Sequence, residues 1–170
     1  MRENADSALA SITAGRTAFV GVGNVDRGDD AVGVVLAEAI RASGIKEVFI
    51  AEANPEGLVT QLADGEYENI VILDAVAAGA APGSVVLLDA GELQENFPQV
   101  STHRLSLGTL ARLIGLEKGK RVWLLGIQSE SIQMGAGVSA AVAKTAVLLT
   151  ELIAAVRDGR PNAEGERICS

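Results

Sequence analysis

The chain has one cysteine, Cys169, and one histidine, His103, in 170 residues. A lone cysteine cannot pair within the chain, so there is no internal disulfide framework and no cysteine-based metal cluster, and a reducing compartment, the cytoplasm, is the expected setting. Aromatic residues make up only 3%, which leaves the core to Val, Leu, Ile and Ala, side chains that suit buried parallel strands. Basic residues are outnumbered: the net charge is −8 and the pI near 4.7. Nucleic acids and anionic membranes are bound by basic patches, so neither is expected as the main partner. No segment reaches the roughly 18 uninterrupted apolar residues of a membrane span. Residues 1–16 carry Arg2, Glu3 and Asp6 and lack the apolar stretch of a signal peptide.

What is present is a glycine-rich turn between two apolar segments. Residues 18–33 begin with a short apolar run ending in Val22, read as a buried strand, and lead into a helical pattern with Val32, Val35, Leu36 and Ile40 on one stripe. Between them Gly21 and Gly23 permit a sharp turn off the strand, and Asn24 tolerates the same backbone region. Asp29 and Asp30 fall at the start of the helix, where carboxylates accept orphan amides and are favoured by the macrodipole. A dinucleotide-binding Gly-x-Gly-x-x-Gly turn fits less well. Asp26 holds the third glycine position, and two carboxylates stand where a pyrophosphate would approach, although Glu52 is placed to serve as a ribose-binding acid.

With 48% hydrophobic and 21% charged residues, the composition is that of one globular α/β domain. The pattern divides into a flexible lead-in at 1–16, a single domain at 17–157 and a polar tail at 158–170. Strands are expected at 47–51, 69–75, 84–88 and 121–127, and helices at 55–63, 105–116 and 139–156. Residues 69–75 are apolar at successive positions and so covered on both faces. The gap at 77–83 is too short for a helical crossover, so the strand after it should not run parallel beside its predecessor. Residues 90–102 read as a loop. The expected architecture is three-layer α/β/α on a mostly parallel sheet of about five strands, one of them reversed.

Ligands bind outside the carboxyl ends of parallel strands in such sheets. Asp30, Asp74 and His103 are placed there, and each also has a plain reading: a helix-start charge, a loop cap and an ordinary surface histidine. Two carboxylates and an imidazole form a donor set suited to nickel, zinc or another divalent transition ion. No Gly-x-Ser-x-Gly elbow and no His-Glu-x-x-His helix occurs. One histidine cannot serve a triad and a metal site at once.

Gly21-Val22-Gly23-Asn24 followed by Gly28-Asp29-Asp30-Ala31-Val32-Gly33 resembles the opening signature of the hydrogenase maturation proteases, which trim the C-terminus of the nickel–iron hydrogenase large subunit. The likeness extends through Val71-Ile72-Leu73-Asp74-Ala75, Ser101-Thr102-His103-Arg104-Leu105-Ser106-Leu107 and Leu124-Leu125-Gly126-Ile127-Gln128. It departs at Ser129, where proline is common, and at Ala51-Glu52-Ala53-Asn54-Pro55, where a glycine-rich turn is usual. The resemblance implies an aspartyl-type endopeptidase acting on a large-subunit precursor. It further implies that Asp30, Asp74 and His103 contact nickel brought by that substrate, and that Asp30 or Asp74 serves catalysis. A monomer in the cytoplasm is expected. The alternative is a non-catalytic metal- or nucleotide-binding module on the same fold.

Overall fold

The computed structural model describes residues 2–96, 114 and 119–158. The elements are α1 (Arg2–Thr13), β1 (Thr17–Val22), α2 (Val32–Ala42), β2 (Val48–Glu52), α3 (Val59–Asp64), β3 (Asn69–Val76), β4 (Val85–Asp89), α4 (Ala90–Asn96), β5 (Arg121–Gln128) and α5 (Ala140–Arg157). One-turn 3-10 segments, Gly28–Ala31 and Pro55–Leu58, lead into α2 and α3.

The strands form one five-stranded sheet in the order β2-β1-β3-β5-β4. β1, β2, β3 and β5 are parallel, and β4 pairs antiparallel with β5. The short 77–84 connection thus never has to cross over: β5 is inserted between β3 and β4, and β4 takes the edge. β3 is central and buried at every position from Asn69 to Val76, as its unbroken apolar run requires.

Alternation along the strands sends side chains to two cores. Phe19, Val71, Leu73, Leu125 and Ile127 pack with Leu36 and Ile40 of α2 and with Val142, Leu149 and Ile153 of α5. Val20, Ile70, Ile72 and Leu124 pack on the other face with Leu62 of α3, Leu93 of α4 and Ile114. Helices therefore cover both faces, as the sequence pattern predicts.

Three readings change. Residues 2–13 are helical where a flexible lead-in was expected, because Leu9 and Ile12 are one turn apart and both enter the first core. Val35 is 39% exposed, and the buried face of α2 runs instead through Val32, Leu36, Ala37 and Ile40. Residues 90–96 are helical where a loop was expected. The cause is a capping box: Glu92 N donates to Asp89 Oδ1 at 2.8 Å and Asp89 N donates to Glu92 Oε2 at 2.9 Å, while Leu93 is buried. The 97–113 and 115–118 stretches, and the tail beyond Asp158, lie outside the described residues.

Candidate active site

The site-bearing segments meet because α2 packs unusually close to the strand ends. A Cβ on Gly33 would stand 2.1 Å from the Val22 carbonyl oxygen and 2.2 Å from that of Leu73. Only glycine allows this approach, which lays the start of α2 across β1 and β3 together. Gly21 lies within β1, where the missing side chain leaves room for Ala37. Gly23 has φ +146°, and a Cβ there would meet the Asp30 carbonyl oxygen at 1.9 Å. The space beside this turn is filled by the chain's own carbonyl, an acceptor, and offers nothing to a pyrophosphate. That observation removes the support for a dinucleotide turn.

Asp30 is 3% exposed and Asp74 1% exposed. Asn24 N donates to Asp30 Oδ2 at 3.2 Å, so the glycine-rich turn folds back onto this carboxylate. Asp74 follows Leu73, whose carbonyl touches the Gly33 position, and its Oδ1 accepts from Ala75 N at 2.8 Å. Both acids therefore sit at the carboxyl end of the neighbouring strands β1 and β3. By alternation Asp74 belongs to the sheet face that carries Ile72 and receives Ile114. His103 lies outside the described residues. Among the described residues no group of three His, Cys, Asp or Glu side chains is assembled.

The 3-10 turn and α2 begin after Arg27 and Ala31, whose side chains make no cap bond, and the four hydrogen bonds that Asp29 accepts come from elsewhere than the helix start. Asp29 does something else. Fully buried, its Oδ2 accepts from Glu130 N (2.7 Å), Ser131 N (3.0 Å) and Ser139 Oγ (3.0 Å), and its Oδ1 from Ser139 N (2.6 Å). Burial pushes this carboxyl up, but the hydrogen bonds from Ser139, Ser131 and Glu130 outweigh it and hold the pKa below the usual carboxylate value. Three backbone bonds reinforce the seam: Gly28 N to Ala136 O, Asp29 N to Ser131 O and Gly135 N to Asp26 O. The 129–139 loop is thus fixed to the Asp30 loop.

Gln128 organises the third loop. Its Oε1 accepts from Ala78 N at 2.8 Å and Ala80 N at 3.3 Å, holding the segment after Asp74. Ser129 N donates to Val76 O at 3.0 Å, a bond that a proline there could not make. After β2, Glu52 takes φ +49° without a glycine, and its carbonyl accepts from Gly23 N at 3.0 Å. A left-handed non-glycine residue costs on the order of 1 kcal/mol, and here it joins the β2 end to the glycine-rich turn. Asp29, Gln128 and Glu52 were not read as structural parts of the site from sequence. Only the family-like Gln128 motif pointed to one of them.

Comparison with known proteins gives a consistent result. A family model described as hydrogenase maturation protease matches residues 35–156, a span that includes Asp74 and His103 and starts just after Asp30. The chain is 29% identical over 113 residues to the hydrogenase 3 maturation protease of Escherichia coli K12, covering 65% of this chain and 71% of that one. It is 27% identical over 150 residues to the hydrogenase 2 maturation protease of the same organism, covering 84% and 92%. A crystal structure of a NiFe hydrogenase maturation protease from Thermococcus kodakarensis superimposes with a TM-score of 0.79 at 30% identity, covering 89% of this chain and 99% of that one.

Proposed function

The chain belongs to the hydrogenase maturation protease family, and from that premise we propose that it is an endopeptidase that removes the C-terminal extension of a nickel–iron hydrogenase large-subunit precursor after nickel insertion. The observation that carries this reading is the pair of buried carboxylates, Asp30 and Asp74, at the carboxyl ends of adjacent parallel strands. Two carboxylates at adjacent strand ends are hard oxygen donors that, with an imidazole, make up a set suited to a divalent cation delivered from outside.

In this reading the nickel belongs to the substrate. Asp30, Asp74 and His103 complete its coordination, and that contact reports that insertion has occurred. Zinc or another divalent ion would occupy the same donor set in vitro. A divalent ion polarises a nearby carbonyl and acidifies water, a contribution of several kcal/mol. Asp74, on a rigid central strand, then accepts the proton of the attacking water, in the manner of an aspartyl-type general base.

The test is a gel with purified precursor, loaded or not loaded with nickel. Only the loaded form should be shortened by this protein. Equal processing of nickel-free precursor would refute recognition through the metal, and no processing of either form would refute the endopeptidase reading.

A further inference from the structure

Arg27 lies in the seam between the glycine-rich turn and the 129–139 loop, three residues before Asp30. Its backbone is fixed: Arg27 N donates to Asn24 O and Asp30 N donates to Arg27 O, each at 3.1 Å. The side chain is only partly exposed, and Nε is buried with no hydrogen-bond partner. Among the described residues it is the one buried side-chain donor or acceptor left in that state. Buried donors, charged ones above all, are nearly always satisfied in folded proteins.

The obvious internal partners are engaged elsewhere. The Asp29 carboxylate already accepts four hydrogen bonds from the 129–139 loop. Asp30 Oδ2 accepts from Asn24 N. The Asp26 carbonyl accepts from Gly135 N.

We infer that Arg27 is a substrate-binding residue whose Nε–H, with one Nη–H, takes a carboxylate of the precursor's C-terminal segment. The planar edge of a guanidinium matches a carboxylate in a two-bond fork, which an ammonium cannot reproduce. A segment removed from a C-terminus always ends in a carboxylate. Asp26, Asp29, Asp30 and Asp74 make this end of the sheet acidic, and Arg27 is, among the described residues, a cation placed to offset the repulsion of such a group. The identity of the ligand rests on the endopeptidase reading; the carboxylate site itself does not.

Two measurements on the full chain test this separately. In a nitrogen-15 spectrum of the arginine Nε–H groups, the Arg27 signal is identified by its loss in Arg27→Lys. Sodium acetate should shift it saturably, while acetamide and sodium chloride at matched ionic strength should not. A signal that ignores acetate, or follows chloride equally, would overturn the site. A response to acetamide as well would show a general oxygen acceptor in place of the carboxylate proposed. In processing assays Arg27→Gln and Arg27→Lys should both raise KM for the loaded precursor tenfold or more, with kcat changed less than twofold and Tm unchanged. Wild-type KM in either variant, or a fall in Tm that accounts for the loss, would refute the role. A wild-type protein that leaves precursor whole would refute the endopeptidase reading while the acetate titration still decides the Arg27 site.

Discussion

The two ends of the sheet treat charge in opposite ways. At the amino end an open depression of about 570 Å³ is lined by Arg16, Tyr67, Glu68 and Lys120, among others. Its charges are met locally: Arg16 Nη1 lies 2.7 Å from Glu66 Oε2 and Nε 3.9 Å from Glu68 Oε1. Lys120 Nζ donates to the carbonyls of Leu62 and Gly65 and stands 5.6 Å from the centre of the Tyr67 ring. At the carboxyl end acids are buried, loops are pinned by side chains whose own polar capacity is used up, and one guanidinium nitrogen is left over. A depression by itself does not mark a functional site; the state of the polar groups is the more telling sign.

Substitutions at the two ends should therefore differ sharply. The largest effect on the fold is expected for Gly33→Ala, whose Cβ would lie within 2.2 Å of two strand carbonyls. A loss of about 3 kcal/mol or more, read as a Tm drop of roughly 10 °C, is expected. A Tm within 2 or so degrees of wild type, about 1 kcal/mol or less, would mean that α2 does not need this approach.

Asp29→Ala comes next, since it strands three amides and a hydroxyl. A cost of about 2–4 kcal/mol is expected from such unsatisfied groups. The pH dependence carries a definite sign. The folded pKa of Asp29 is depressed, so its stabilisation is complete above the unfolded value of about 3.9 and is lost as pH falls through the lower folded value. Denaturant midpoints measured down the acid limb should fall less steeply for Asp29→Asn than for wild type. Parallel acid limbs would remove Asp29 from the account.

The smallest effect belongs to the amino end. Arg16→Ala breaks a pair whose side chains are 61% and 87% exposed, and less than about 0.5 kcal/mol is expected. A larger loss would make that end more than a solvated face.

How far the sequence carried differs between these ends and elements. β1, β3 and β5 announce themselves as short unbroken apolar runs, and the reversed edge strand follows from a connection too short to cross over. α1 was missed because its core anchors are sparse: Leu9 and Ile12 have meaning only once a partner surface exists. α4 was missed although its capping box, Asp89 and Glu92, stands in the sequence. Asp29 and Asp30 look equivalent as neighbouring acids. What separates them is a loop about a hundred residues later, and no local pattern reports that. Arg27 leaves no signal at all, because lacking a partner is a property of three dimensions.

The central claim is that the buried carboxylates at the carboxyl end do the work. The most direct test is intact-mass spectrometry of nickel-loaded precursor after incubation with Asp74→Asn, alongside Arg16→Ala. The asparagine keeps the shape and removes the charge. We expect it to fold as wild type and leave the precursor at full mass, a rate loss of about 10²-fold or more, while Arg16→Ala releases the C-terminal segment at the wild-type rate. Wild-type cleavage by Asp74→Asn would contradict the account.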